Sequence, residues 1–467
     1  MNIKPLLCIL ALLLAPVLVQ ATHIYSGYIS YTTDPQNPLK LNFEMTTYNY
    51  TASTASDPAV YINMGDGNNV MVERAALPTY SKSFYTSVFR WSHTYSSAGD
   101  YIVSWIAENR NGGILNLAPP TDQLAFYIQT NVKVGSSLKN LNSVKLAGTG
   151  VVQVFPHEPW THNLLAYDAD GDYLMYDLVI PKYRKSANEI ANAPGYQQPE
   201  GLRINEFGEL HWPNPEVNGQ YVLNVRITEV RDGKLLGSTV VEMTLLVRER
   251  LEQPEISLIN KDRLTVNEDG SIQTWPGQPV KLEFYLRNLP GHVVLPLIAR
   301  QFGEIDTLQL VDTALQFRDT TNGYAIRYTF TPTPALERTE PYLIGLRSWA
   351  DNKEPAHQYG RNVEFAWAFA YIYVGEQRRP LSSGDDFPTE SPKLYPNPAR
   401  GEFTFEAPDL PGLHLLVRDV TGKVVASYTL RPGRNDFARP AKLASGLYTY
   451  TLTSQLSPIE TGKLVLQ

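Results

Sequence analysis

The chain has 467 residues, of which 43% are hydrophobic and 19% charged, with a formal net charge of −7 and a pI near 5.7. This is the composition of globular proteins and excludes a largely disordered chain. No long basic cluster offsets the acidic balance, so we expect no nucleic acid partner. Single cores seldom grow beyond about 250 residues, and the length therefore predicts about three or four domains.

The N-terminal residues have the pattern of a secretory signal peptide. Lys4 precedes an apolar run from Leu6 to Val19, and Ala21 is the small residue that a signal peptidase reads. The run is shorter than the roughly 20 residues that a membrane-spanning helix needs, and no later stretch qualifies. We therefore expect residues 1–21 to be a signal peptide and expect no transmembrane segment.

Cysteine is confined to that segment. Cys8 is the single cysteine of the chain, so the mature protein is expected to have no disulfide and no cysteine metal site. Its stability must come from apolar and aromatic cores, and the 28 tyrosines suit half-buried strands.

Residues 22–134 alternate between short apolar runs and Gly or Asp turns, which predicts β-strands. G-D-G at 65–67, H-T-Y at 93–95 and G-x-Y-x-V at 99–103 occur in the order of the PKD domain, which this segment resembles. The resemblance implies an Ig-like β-sandwich in which His93 is structural rather than catalytic. Because side chains alternate along a strand, one apolar face is formed by Tyr101, Val103, Trp105 and Ala107.

The polar segment 135–150 predicts a linker to a second module at 151–249. This module contains D-A-D-G-D-Y-L-M-Y at 168–176 and G-Q-Y-V-L-N-V at 219–225. Both motifs resemble cadherin-like Ig modules. A wider order runs from H-I-Y-S-G at 23–27 through D-A-D-G-D at 168–172 to E-V-R-D-G at 229–233, and it resembles the opening part of gliding-motility-associated surface proteins. The resemblance implies a second β-sandwich. One apolar strand face consists of Tyr221, Leu223, Val225 and Ile227.

Residues 250–375 carry strand periodicity without a family motif. Apolar and polar residues alternate from Val280 to Leu286 and from Tyr324 to Phe330, which predicts half-buried strands of a third, Ig-like sandwich. The stretch 363–374 is expected to close this sandwich with an aromatic face. That face consists of Phe365, Trp367, Phe369 and Tyr371.

Pro, Ser and acidic residues dominate 376–393, which predicts an extended linker. The last segment, 394–467, contains Y-P-N-P, D-V-T-G-K-V-V, G-L-Y and K-L-V in that order, at 395–398, 419–425, 446–448 and 463–465. It resembles the type A C-terminal sorting domain of the type IX secretion system of Bacteroidota. The resemblance implies a small β-sandwich that the type IX machinery recognises at the outer membrane, and a passenger exported to the cell surface or beyond.

Asp168, Asp170 and Asp172 are the candidate metal ligands. Three carboxylates within five residues repel one another unless a cation or solvent screens them. Alternate residues of an extended segment share a face, so one calcium ion could meet all three. The alternative is a solvated Asp/Gly turn before a strand. The sequence predicts no other cofactor.

The predicted fold class is all-β: tandem Ig-like and PKD-like β-sandwiches, followed by the small C-terminal β-sandwich. No motif places a nucleophile beside a base, so we expect no catalytic residues. We expect a non-catalytic secreted or surface protein that binds a glycan or protein ligand, as in adhesion. The alternative is an accessory glycan-active enzyme whose site lies in the third module.

Overall fold

The computed structural model describes most of the chain from Ile24 onward. The predicted signal peptide and residues 377–393 of the predicted linker lie outside the described residues. The described residues are 24–51, 53, 57–77, 84–136, 140–249, 255–267, 269–287, 293–294, 300–303, 316–351, 363–376, 394–395, 399, 401–407, 413–418, 424–431, 433–439, 443–454 and 457–466.

The all-β prediction is confirmed. The chain divides into two compact units, Met1–Gln377 and Arg378–Gln467, and described helical structure consists of short 3₁₀ turns at Thr121–Gln123, Lys261–Arg263 and Pro334–Leu336. The strands of the first predicted module are β1 (Ile24–Asp34), β2 (Asn37–Tyr50), β3 (Ala59–Asn63), β4 (Asn69–Ala76), β5 (Phe84–Thr94), β6 (Gly99–Ala107) and β7 (Phe126–Val134).

Shorter strands precede a long hairpin in the next part of the chain. They are β8 (Lys145–Leu146), β9 (Val151–Val154), β10 (Trp160–Asn163), β11 (Ala166–Tyr167), β12 (Tyr173–Val179), β13 (Lys182–Ser186), β14 (Glu189–Asn192), β15 (Arg203–Ile204), β16 (Glu209–Trp212), β17 (Gly219–Arg231) and β18 (Lys234–Val247).

One sheet runs through both of the first two predicted modules. Its strand order is β1-β2-β5-β4-β3-β6-β7-β18-β17-β12. β7 pairs with β18 where Val132 faces Gly237, and β1 also meets β18 where Gly27 faces Glu242. The sheet therefore continues across the predicted linker at 135–150, while the predicted domain limits stay predictions.

β1 is buried on both faces because two cores use it. Side chains alternate along the strand, so Ile29 and Tyr31 enter the core of the first sandwich whereas Tyr28 enters the core of the second. This explains why β1 is buried from Ile24 to Tyr31, although the sequence pattern there is mixed.

The segment after β7, which was predicted to be a linker, lies beside β1. The Thr33 amide donates to the Leu141 carbonyl at 2.7 Å, and the Ser143 amide donates to the Tyr31 carbonyl at 2.9 Å. The Ser143 hydroxyl accepts a further bond from the Tyr31 amide at 2.7 Å. Residues 145–146 then pair as β8 with β11, so this segment joins the two predicted modules.

The G-D-G turn of the first sandwich is fixed by close backbone packing. Gly65 has φ +80°, and a Cβ there would lie 2.7 Å from the Ile102 amide nitrogen. Asp66 Oδ2 and His93 Nε2 are 2.7 Å apart, with side chains 10% and 13% exposed. His93 therefore braces this turn, in keeping with the structural role that the PKD resemblance implies.

The third module consists of two sheets, β19-β21-β25-β24 and β20-β27-β26-β22 with β23 on β26. Alternate residues from Val280 to Leu286 enter its core, as the periodicity predicts. Its strands are β19 (Glu255–Leu258), β20 (Ile272–Thr274), β21 (Val280–Arg287), β22 (Val293–Val294), β23 (Arg300–Gly303), β24 (Gln316–Thr320), β25 (Gly323–Phe330), β26 (Arg338–Asp351) and β27 (Val363–Val374).

The aromatic face predicted for β27 packs outward from the third core. Trp367, Phe369 and Tyr371 form a cluster with Leu165 of the second module, and the Tyr371 hydroxyl donates to the Phe207 carbonyl at 2.8 Å. The smaller residues on the opposite face fill the third core, and these are Ala368, Ala370, Ile372 and Val374. The side chain of Phe365 lies outside the described set.

The Arg378–Gln467 unit has a three-stranded sheet, β28-β29-β32, and a four-stranded sheet, β31-β30-β33-β34. Phe403 and Phe405 are buried between them, as the alternating pattern at the start of the segment suggests. Its strands are β28 (Leu394–Tyr395), β29 (Glu402–Ala407), β30 (Leu413–Arg418), β31 (Val424–Thr429), β32 (Gly433–Ala438), β33 (Gly446–Ser454) and β34 (Ser457–Leu466).

Candidate functional site

The three predicted ligand residues lie in the turn between β11 and β12. Asp168, Asp170 and Asp172 place one carboxylate oxygen each within 4.8 Å of one another. Gly171 has φ +79°, a conformation that glycine adopts without steric cost. The structure therefore brings together all three residues that the sequence selected.

A fourth carboxylate, which the sequence analysis missed, belongs to the same cluster. Glu229 on β17 is fully buried, and its side chain is within hydrogen-bond reach of Asp168. A Cβ on the facing residue, Gly237, would lie 2.9 Å from Glu229 Oε2. Glycine at 237 thus leaves room for the carboxylate. We call Asp168, Asp170, Asp172 and Glu229 the acid cluster.

Protein donors satisfy two of the four carboxylates. Asp172 accepts hydrogen bonds from Arg231 Nε at 2.6 Å and from Arg231 Nη2 at 2.8 Å. Asp170 accepts hydrogen bonds from the backbone amides of Leu141 and Asn142 at 2.7 and 3.0 Å. It accepts a third from the side-chain amide of Asn142 at 2.6 Å. These bonds join β17 and the 140–142 segment to the acidic turn.

Among the described residues, no group makes a hydrogen bond of normal geometry to two buried oxygens of the cluster. They are Asp168 Oδ2 and Glu229 Oε1, on side chains 2% and 0% exposed. The second oxygen of each residue is occupied: Asp168 Oδ1 accepts the Asp170 amide at 2.8 Å, and Glu229 Oε2 accepts Asn140 Nδ2 at 3.3 Å. A buried acceptor without a donor costs free energy, so these two atoms are positioned for a ligand or a shared proton.

The cluster is too crowded for all its carboxyl groups to be charged without a counter-ion. Burial, followed by the charge of Asp172, raises the pKa of Asp168 to about 7. Burial and the neighbouring Asp168 charge likewise raise the pKa of Glu229. Burial also raises the pKa of Asp172, although Arg231 opposes this shift. A cation between Asp168 and Glu229 would relieve this repulsion.

The donor set fits a hard cation. Calcium takes six to eight oxygen ligands at about 2.3–2.6 Å, and the cluster supplies carboxylate oxygens. Arg231 already neutralises part of the charge, since its Nη2 also lies 3.5 Å from Asp170 Oδ2. The uncompensated part of the cluster is the Asp168 and Glu229 pair.

A polar groove of about 540 Å³ lies next to the acid cluster. Its floor is the outer face of β1, β2 and β5, where two cross-strand rows of side chains run. One row is Ser30, Glu44 and Arg90, and the other is Thr32, Asn42 and Ser92. Arg90 Nε lies 2.7 Å from Glu44 Oε2, and the Ser92 hydroxyl donates to Asn42 Oδ1 at 2.6 Å.

The wall of the groove comes from the predicted linker at 135–150 and from the second predicted module. Lys145 and Leu146 of β8 and Tyr167 of β11 line it. The acid cluster holds this wall in place, because Tyr167 directly precedes Asp168 and because Asp170 binds the 141–142 segment that leads into β8. Neither the groove nor its wall was predicted, since they depend on how the two modules join.

The environment of His162 on β10 predicts that the stability of the protein depends on pH. Burial lowers the pKa of His162 to about 4, while a bond to the Thr149 carbonyl opposes the shift. The unfolded chain gains the proton near pH 6.5 and the folded chain does not, so stability is lost as the pH falls from 6.5 to about 4.

We therefore expect the wild-type protein to lose stability relative to His162→Gln across this pH range, as measured by urea titration of both proteins. Because the acid cluster is common to both proteins, its own titration cancels in the difference. Parallel pH profiles for the two proteins would contradict a neutral, half-buried His162.

In the C-terminal unit, strands carrying the sequence motifs pair with one another. Leu394 and Tyr395 of β28 face Phe405 and Thr404 of β29. The G-L-Y strand at 446–448 pairs with the terminal residues 464–466, and the Ala399 amide donates to the Val465 carbonyl at 2.8 Å. The beginning and the end of the segment thus form one sandwich.

Residues 393–467 match the family described as "Secretion system C-terminal sorting domain". The chain carries a type IX sorting domain. The protein is therefore exported to the cell surface or the surroundings of the cell, and the type IX secretion machinery handles the sorting domain. Within the described part of the chain, no helix has the length and apolar character needed to span a membrane. No curated protein matches the chain.

Several solved structures are similar to this protein at low identity. Sidekick-1 immunoglobulin domains 1–4 are 11% identical, covering 90% of this chain and 94% of that one, with a TM-score of 0.16. A tetra-tandem repeat from the extending region of a large adhesion protein is 13% identical, covering 94% and 98%, with a TM-score of 0.15.

An endo-fucoidan hydrolase of glycoside hydrolase family 107 is 9% identical, with a TM-score of 0.16. The alignment covers 71% of this chain, which spans 42% of the length of that hydrolase. TM-scores this low carry no information about ligand or activity.

Proposed function

We propose that this protein acts outside the cell by contact, as an adhesion or ligand-binding protein whose ligand is a glycan or another protein. The observation that carries the proposal is the groove, because it is built where two sandwiches share a sheet and it presents polar side chains to solvent. The sorting domain delivers this surface to the outside of the cell. Catalysis is not part of the proposal.

Attachment of whole cells tests this function. Cells that produce the protein and cells that lack it would be applied to surfaces coated with glycans or extracellular proteins, and the attached cells counted. We expect fewer attached cells on at least one coating when the protein is missing. Equal attachment on every coating would contradict an adhesive role.

We also propose that calcium binds the acid cluster through Asp168, Asp170 and Asp172, with Glu229 as a fourth ligand. The two unpartnered oxygens and the raised pKa values support this proposal, since both indicate uncompensated negative charge at one point. The ion would tie β17 to the acidic turn and so stabilise the wall of the groove.

Calcium is then expected to raise the melting temperature of the protein. A ligand that binds the folded state at a hundredfold excess over its Kd adds about 2.7 kcal/mol of stability. The shift between calcium and chelator should disappear in Asp168→Asn and Glu229→Gln, which keep the size of each side chain. It should persist in Glu200→Gln, whose side chain is exposed in the same module. Identical melting curves of the wild type in calcium and in chelator would contradict the site.

A further inference from the structure

The floor of the groove is made of side chains, because its backbone is already paired. β2 pairs with β1 on one side and with β5 on the other, so an extended peptide cannot add to this face as a further strand. A ligand on this face must be recognised through hydroxyl, amide and charged groups. Strands are about 4.8 Å apart, so each row presents these groups at regular intervals.

The charges of the groove do not cancel. Glu44 and Arg90 form an ion pair, with side chains 41% and 56% exposed. The side-chain ammonium of Lys145 on the opposite wall has no hydrogen-bond or ion-pair partner among the residues that the structure describes. The groove therefore carries one excess positive charge, although the whole chain has a net charge of −7.

We propose that this groove binds an acidic polysaccharide, with Lys145 and Arg90 contacting its carboxylate or sulfate groups. Hydroxyl and amide groups of Asn42 and Ser92 would then meet the sugar hydroxyls, since Asn42 is half-buried and Ser92 is exposed. A volume of about 540 Å³ lies within the range of small-ligand sites, which is enough for a short stretch of such a chain. This inference rests on the proposed function and names the ligand class of the same groove.

The net negative charge of the protein means that an acidic polysaccharide would bind at the groove and not elsewhere on the surface. Repulsion from a net charge of −7 disfavours non-specific binding of a polyanion, so binding has to occur where the local charge is positive. A nucleic acid would need many cationic phosphate contacts, and the groove supplies two cationic side chains, of which one is already paired.

The test measures binding of the exported protein to hyaluronate, which carries carboxylates, to dextran sulfate, and to uncharged dextran. We expect binding to one or both of the acidic polymers and none to dextran, and the two acidic polymers distinguish carboxylate from sulfate recognition. Lys145→Gln and Arg90→Gln should each weaken binding roughly tenfold, since each removes a charge-assisted contact. The control is Lys234→Gln, which removes the same charge from the exposed first residue of β18 and should leave the affinity unchanged.

Three results would overturn the inference, and they separate it from the proposed function. If Lys145→Gln and Arg90→Gln left the binding of the acidic polymers unchanged, the groove would be excluded as the binding site. Binding of dextran or of a protein ligand, without binding of the acidic polymers, would exclude the ligand class but leave the contact function standing. Absence of binding to any glycan or protein coating would contradict both. Unchanged melting temperatures of the two variants would show that lost binding is not a loss of folding.

Discussion

Replacing Arg110 with methionine is expected to lower the free energy of unfolding by about 3–5 kcal/mol, because it leaves a buried carboxylate without its partner. Arg110 and Glu242 form an ion pair whose side chains are 1% and 3% exposed. Arg110 also donates through Nε to the Ala125 carbonyl at 3.1 Å and through Nη2 to the Lys182 carbonyl at 2.6 Å. One side chain therefore links the loop after β6 to β18 and β13.

Urea titration followed by tryptophan fluorescence measures this loss in the intact protein. All seven tryptophans lie in the Met1–Gln377 unit, so the signal reports that unit alone. Arg184→Met is the matched control, since Arg184 pairs with Glu108 at 2.7 Å with side chains 34% and 76% exposed. Exposed pairs contribute at most about 1 kcal/mol. Equal losses in the two variants would contradict the structural role of the Arg110 pair.

Deleting residues 394–467 is expected to leave the rest of the protein folded and held in the periplasm. The deletion removes most of the Arg378–Gln467 unit and leaves the first unit intact, so export should fail without loss of the first core. Blots of the periplasmic fraction, the cell surface and the medium measure the distribution. Wild-type amounts of the truncated protein outside the cell would contradict the role of the sorting domain.

Single substitutions make the same test without a truncation. Phe405 is fully buried in the core of this unit, whereas Val424 is 41% exposed. Phe405→Asp places a charge in the core and should therefore reduce export strongly. Val424→Asp introduces the same residue at an exposed position and should export normally. Equal export of the two variants would show that the fold of this unit is not what the machinery recognises.

The strands could be predicted from the sequence where alternation is regular. Val280–Arg287 has apolar side chains at every second position, and these enter one core. β1 could not be interpreted in this way, because its two faces enter different cores and its pattern is therefore mixed. The aromatic face of β27 was visible, but its contact with the second module depends on packing that no local pattern encodes.

Only part of the acid cluster could be predicted, because a local pattern shows only residues that are close in sequence. Asp168, Asp170 and Asp172 are close in sequence, so their spacing was informative, whereas Glu229 joins them only through the fold. One signal could have revealed it: Glu229 continues the every-second-residue series of Tyr221 to Ile227, so a charged residue occupies a core-facing position. The groove had no such signal, because its floor and wall come from modules joined by pairing between β7 and β18.

The most direct test of a contact function records binding and turnover in the same sample. Protein recovered from outside the producing cells would be mixed with each of a panel of polysaccharides and peptides, and bound protein and released product measured together. The account predicts saturable binding to at least one ligand, with no product formed. Turnover that survives repurification and disappears with one Asp or Glu substitution would contradict it and would favour the alternative of a glycan-active enzyme.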